Sequence, residues 1–204
     1  RLTQLSGRLG IAHTRWATHG IVSRENAHPH LSTNEAFAVV HNGIFSNYQD
    51  LREELEAEGI TFCSQTDTEV FVQLVARHYD RLQNTERAFV AALEQMEGSF
   101  AIVMISVHEL DRLFCAKRNS PLILGLGEGS NYVGSDINAF LDYTRRAVVL
   151  DDDEYVMLTQ ESYQICSLCD GQQVEKDILH IDWDAETTRK GGFAHYMLKE
   201  IFDE

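Results

Sequence analysis

Residues 101–105, AIVMI, and 121–127, PLILGLG, are apolar almost throughout. A strand with one face in water alternates apolar and polar positions, whereas a strand covered on both faces has no need to. Both runs therefore read as strands buried on two sides, which requires stacked sheets covered by helices: an α+β layered sandwich. Around them lie SFAIVMIS (99–106), RLFCAKR (112–118), NYVGS (131–135), RAVVL (146–150), EYVMLT (154–159) and YQICSL (163–168). Short apolar runs separated by turns are expected to form an antiparallel meander, and Asp170-Gly171 is a turn leading to a hairpin partner.

Upstream, RLGIAHTRW (8–16) and AFAVVHNGIF (36–45) carry compact apolar cores and are expected to be buried strands. Three helices follow. Ser46 with Gln49 fits a capping box ahead of Tyr48, Leu51 and Leu55, with Gly59 placed for a left-handed C-cap. Thr66 with Glu69 repeats the pattern before Val70, Phe71, Leu74 and Val75, and Thr85 opens a third helix that ends near Gly98. Two consecutive amphipathic helices suffice to cover one face of a sheet.

The chain has 204 residues with 44% hydrophobic content, a size that suits one large domain spanning 1–204. Its 17 basic and 32 acidic residues leave a formal charge of −15, which argues against nucleic acid or an anionic membrane as a partner. No apolar run approaches the roughly 18 residues of a membrane span, and no signal-peptide pattern opens the chain. Cys63, Cys115, Cys166 and Cys169 are few, and they suit reduced thiols in a cytoplasmic protein, Cys63 being expected to lie buried on a strand. The Cys166-x-x-Cys169 pair has no second pair to complete a zinc set, and no metal or cofactor is expected. The start at Arg1 and the end at Glu204, inside the helix-like run HYMLKEIFDE, suggest that both ends are cut.

The chemistry-bearing residues gather early. His13, His19, His28, His30 and His41 fall within 41 residues, but without the carboxylates or cysteines that complete a metal shell. Arg15 offers a planar fork for a carboxylate beside Trp16, and equally suits a surface position at a strand end. Asn42-Gly43 reads either as a tight turn or as an amide and an unshielded backbone N–H directed at a developing oxyanion. Asp67 reads either as first-turn electrostatics or as the partner of a substrate ammonium, which with Arg15 would match an amino-acid head group. No serine or cysteine stands beside a plausible base in these loops.

Taken in order, HTRWATHG (13–20), NAHPH (26–30), VHNGI (40–44), TDTEV (66–70), SPLILGLG (120–127), GSD (134–136) and HYMLKEI (195–201) closely resemble the glutaminase domain of the glucosamine-6-phosphate synthases. These are glutamine:fructose-6-phosphate aminotransferases (isomerizing), of the N-terminal-nucleophile class of glutamine amidotransferases. Amidophosphoribosyltransferases and asparagine synthetases of that superfamily share the arginine and the Asn-Gly pair, but their arginine loops read differently.

The resemblance implies a four-layer αββα sandwich and L-glutamine as substrate. It assigns Arg15, helped by Thr18 and His19, to the glutamine carboxylate, Asp67 to its ammonium, and Asn42 and Gly43 to the oxyanion hole. Trp16 would gate the passage of ammonia to a covalently linked isomerase domain that binds fructose 6-phosphate, with residues 195–204 starting the junction. The nucleophile would be an N-terminal cysteine ahead of Arg1, on a strand outside these residues. A homo-oligomer is implied for the full-length protein, and His28 and His30 are expected to serve structural hydrogen bonds. Asn119 stands where the family has glycine, Gly134 where it has alanine and Leu198 where it has glutamine. A non-catalytic glutamine-binding relative, or an amidotransferase with another ammonia acceptor, fits the same pocket residues.

Overall fold

A computed structural model describes residues 7–15 and 21–182. In chain order its elements are β1 (His30–Leu31), β2 (Phe37–Phe45), α1 (Tyr48–Ala57), α2 (Asp67–Leu82), α3 (Thr85–Gln95), β3 (Gly98–Ser106) and β4 (Glu109–Arg118). Then come β5 (Ile123–Leu126), β6 (Asn131–Gly134), β7 (Arg146–Val149), β8 (Glu154–Leu158), β9 (Tyr163–Ser167), β10 (Gln173–Val174) and β11 (Leu179–His180).

The AIVMI run lies at the centre of β3, and its alternate side chains enter two different cores. Phe100, Ile102 and Met104 face the helices with Phe37, Phe45, Phe71, Phe89 and Phe114, while Ala101 and Val103 face the second sheet with Leu124, Leu126 and Val148. A layer shared by two cores accounts for the loss of polar alternation in the sequence. The first sheet has the order β1-β2-β3-β4-β8-β9-β10 and the second β11-β7-β5-β6, with every named pair antiparallel. Among the described residues, two antiparallel sheets, stacked on one another, with three helices packed on the first bear out the expected α+β sandwich.

Every apolar run quoted from Ser99 onward forms a strand, including β10 after the Asp170-Gly171 turn. A single meander does not result: β5, β6 and β7 leave to build the second sheet, and β8 returns to pair with β4 in the register Cys115 with Val156. The departure follows Asn119, whose φ of +55° is left-handed; asparagine tolerates that region better than most residues, so it substitutes for the family's glycine. The outer face of the second sheet is covered by Phe140 and Leu141, just after a short 3-10 turn, Ile137–Ala139. A Cβ on Gly125 would lie 2.5 Å from the Phe140 ring, and one on Gly134 would lie 2.9 Å from Ala139 Cβ. Gly134, in place of the usual alanine, thus lets this segment sit close to the sheet.

Helix starts differ in detail from expectation. α1 begins one residue later than the capping box on Ser46 implied: its N-cap is Asn47, which makes no side-chain cap bond. The Asn47 amide is engaged elsewhere, with Nδ2 donating to Gln95 O at 2.7 Å and Oδ1 accepting from Glu97 N at 3.0 Å. Its C-terminus is as expected: Gly59 N donates to Glu56 O and Ile60 N to Leu55 O, the paired bonds of a Schellman motif with Gly59 at φ +92°. In α2, Thr66 caps Glu69 N, but the Glu69 carboxylate turns to the backbone of Cys63 and Ser64 at 2.8 and 2.6 Å. This holds 60–66 as a loop, so Cys63 is exposed there rather than buried on a strand.

RLGIAHTRW departs most. Residues 7–15 form no ladder with any described strand, although Leu9 and Ile11 pack on the core between the sheets. Side chains take over the backbone at its far end, where Arg15 N donates to His13 Nδ1 at 2.9 Å.

Candidate functional site

β2 changes character at His41. Up to Val40 it is core; His41, Asn42 and Gly43 then continue the ladder opposite Ile102, Ala101 and Phe100. Asn42-Gly43 is therefore not a turn. Gly43 has φ +124°, and a Cβ there would lie 2.1 Å from the Ser99 carbonyl oxygen. Glycine is required by both conformation and close approach.

The loop 7–15 reaches Asn42 from one side. His13 Nε2 is 2.7 Å from Asn42 Oδ1, and His13 Nδ1 accepts from Arg15 N. Arg15 has φ +38° and donates from Nη1 to Ile21 O at 3.3 Å. The start of α2 approaches from another side: buried Asp67 accepts from Phe45 N through Oδ2 at 2.9 Å, two residues beyond Gly43. Asp67 occupies the first turn, as the electrostatic reading expected, and also reaches the strand that carries Asn42 and Gly43. The charges of Arg15 and Asp67 both act on His30, from which they draw opposite responses.

Four histidines knit these pieces together. His28 Nδ1 lies 2.9 Å from His13 Nδ1, and its Nε2 lies 3.1 Å from Thr68 Oγ1. Thr68 Oγ1 is also 3.0 Å from His41 Nδ1, and His30 Nε2 is 3.0 Å from Thr66 Oγ1. His28 and His30 thus make the structural hydrogen bonds expected of them. Burial is the main cause that pushes protonation of His28 down to about 3, with His13, His30, His41 and Arg15 adding to it. Burial likewise pushes His41 down to about 4 against the opposing pull of Asp67, and lowers His30. The first two rings are neutral near pH 7.

Arg15, Asn42, Gly43 and Asp67 are brought together, while Trp16, Thr18 and His19 lie outside the described residues, as does Leu198. His13, His28, His41 and Thr68 were not assigned to the site by sequence reasoning. The signal available was the crowding of histidines, which lacked a metal shell and did not by itself name their hydrogen-bond partners. The cysteines stand elsewhere: Cys115 and Cys166 are buried in the first sheet, and Cys63 and Cys169 are exposed. Burial raises the Cys115 thiol far above its ordinary value. A cavity of about 500 Å³ lined by Arg8, Leu9, Leu113, Asn131 and Leu158 shares no residue with the histidine cluster.

A β-sandwich carrying an arginine, an Asn-Gly pair on a strand and a buried aspartate at a helix start matches a known family, described as glutamine amidotransferase domains, over residues 13–142. The chain belongs to that family. Among curated relatives it is 48% identical to the glutamine–fructose-6-phosphate aminotransferase (isomerizing) of Aquifex aeolicus over 97% of this chain. It is 45% identical to the enzyme of that name from Methanothermobacter thermautotrophicus over 100% of this chain, and 46% to that from Corynebacterium glutamicum over 96%. The chain spans about a third of these relatives, 33%, 34% and 32% of their lengths. Among solved structures, a glutamine phosphoribosylpyrophosphate amidotransferase from B. subtilis complexed with ADP and GMP superposes with a TM-score of 0.62 at 25% identity. The match covers 76% of this chain and 34% of that one. A structure titled as the allosteric regulatory enzyme of purine biosynthesis shares the fold, with a TM-score of 0.59 at 24% identity over 71% of this chain.

Proposed function

We propose that this chain is the glutamine-binding body of a glutaminase domain within an enzyme that makes glucosamine 6-phosphate from fructose 6-phosphate and L-glutamine. The observation that carries the reading is the placement of Asn42 and Gly43 on a paired strand, with Asp67 bonded to Phe45 two residues on and the Arg15 backbone bonded to the histidine that meets Asn42. Arg15 holds the glutamine carboxylate with Thr18 and His19, and Asp67 holds its ammonium. An N-terminal cysteine outside these residues gives its thiol proton to its own α-amine and attacks the side-chain amide carbon, and the amine returns that proton to the leaving nitrogen. Asn42 and Gly43 donate to the resulting oxyanion, ammonia departs, and water hydrolyses the thioester to glutamate. Trp16 gates the ammonia toward a linked isomerase domain that binds fructose 6-phosphate. In this reading the protein is cytoplasmic and the full-length chain forms a homo-oligomer; no described helix is long and apolar enough to cross a membrane.

The test is ammonia release from glutamine by the full-length protein, with and without fructose 6-phosphate. Asn42→Ala is expected to lower kcat by about 10²–10³-fold, the usual effect of removing one oxyanion donor. Glutamine binding without ammonia release would favour a sensor instead, and release with no amino-sugar product would point to another acceptor.

A further inference from the structure

Asn42 serves as an oxyanion donor only if its NH₂, rather than its carbonyl, points to the reaction centre, and the structure contains a device that decides this. Arg15 N–H cannot lose its proton, and it points at His13 Nδ1 from 2.9 Å. His13 Nδ1 must therefore be an acceptor, and in the neutral ring the proton sits on Nε2. Nε2–H then needs an acceptor at 2.7 Å, which makes the facing Asn42 atom Oδ1 and turns the Nδ2 hydrogens away from His13.

His28 fits that order. His28 Nδ1 lies 2.9 Å from the same His13 lone pair, so His28 carries its proton on Nδ1 and accepts from Thr68 O–H at Nε2. His41 Nδ1 lies 3.0 Å from the same hydroxyl, and a backbone hydrogen bond with Ser99 opposes the effect of burial on that ring. One backbone amide thus sets the proton position on His13 and, through it, on His28, and the contacts join the 7–15 loop, β2 and α2.

We infer that His13 is a positioning residue of the glutaminase reaction: its Nε2–H holds Asn42 Oδ1, so that Asn42 Nδ2 faces the developing oxyanion. The inference rests on the oxyanion role proposed above for Asn42. His13 itself touches no reacting atom.

Two amide substitutions separate the functions of the ring in the full-length protein. His13→Gln places an amide N–H near the Nε2 position and keeps the donor to Asn42; His13→Asn places an amide oxygen near Nδ1, keeping the acceptor for Arg15 N while losing that donor. Glutamine hydrolysis by His13→Gln is expected to keep kcat within about threefold of the parent, while His13→Asn loses about 10–100-fold in kcat with KM for glutamine little changed. An anchoring role for the Arg15 loop gives the reverse order, or a KM that rises as kcat falls in both variants, and either result would overturn the inference. Asn42→Ala, measured alongside, separates the two ideas. Should it lose activity while His13→Asn keeps the parental kcat, His13 has no positioning role and the oxyanion reading stands. Should Asn42→Ala itself keep the parental kcat, the oxyanion reading fails and the role of His13 with it.

Discussion

The two halves of β2 share one strand and one partner but obey different rules. Phe37 to Val40 are packed by shape: Phe37 and Val39 lie in the core under the helices, and Val40 in the core between the sheets. His41 to Gly43 are placed by polar partners 27 and 29 positions away, Thr68 for His41 and His13 for Asn42. Both halves stay in register with β3 from Phe37–Ser106 to Phe45–Gly98. A continuous ladder can thus carry packed apolar side chains at one end and polar groups held by distant partners at the other, because both ends keep the same backbone pairing.

The sharpest way to break the polar half is Gly43→Ala. The new Cβ would meet the Ser99 carbonyl at 2.1 Å at a φ of +124°, so the backbone of β2 or β3 must move. A cost of about 3 kcal/mol or more is expected from strain and clash together, read as a shift in urea midpoint. Gly59→Ala is the control: its φ is also positive, at +92°, but nothing lies within 4 Å of the new Cβ, so only about 1 kcal/mol is expected. Equal costs at the two positions would mean that close approach to Ser99 is not what Gly43 provides.

Acid tests the same half more gently. Folded His28 and His41 bind protons more weakly than the ordinary imidazole value of 6.5, down to about 3 and about 4. Between those values and 6.5 the unfolded chain binds more protons than the folded one, so their contribution is complete above about pH 6.5 and is lost as pH falls toward 4. Each ring adds at most ~1.4 kcal/mol per pH unit to the slope. Urea midpoints measured from pH 7.5 to 4.5 should fall across that window. A flat profile would place the rings in water rather than in the cluster.

The apolar half of β2 was legible in the sequence because its instructions are local. AFAVV reads as a strand, and the runs after Ser99 read as strands, since hydrophobic alternation or its absence reports burial residue by residue. What was not legible required a partner from elsewhere. Asn42-Gly43 has the local signature of a turn, and only Ser99, far along the chain, shows why the glycine belongs inside a strand. Leu9 and Ile11 carry a strand pattern in a segment with no described ladder, because a period of two specifies which face is buried and not whether a neighbour is present. The histidines are the same case: their number was visible, but a hydrogen-bonded order running through Thr68 was not, since nothing in a helix's second residue announces two rings above it.

The smallest expected effect lies where the two kinds of placement meet. Thr66 is the N-cap of α2, accepting from Glu69 N at 3.4 Å, a weak cap by length. The same oxygen lies 3.0 Å from His30 Nε2 and 3.0 Å from Ser64 Oγ, and the next residue is Asp67. Were Thr66 only a cap, Thr66→Ala would cost about 1 kcal/mol and leave glutamine binding alone. Because its hydroxyl also holds His30 beside the first turn, Thr66→Ala is expected to raise KM for glutamine several-fold through Asp67, at that same stability cost of about 1 kcal/mol. Thr66→Ser keeps the oxygen and loses only a methyl group, so it should restore KM. If Thr66→Ala and Thr66→Ser melt apart but bind glutamine alike, the start of α2 is positioned by its backbone contact to Phe45 alone, and the polar cluster ends at Thr68.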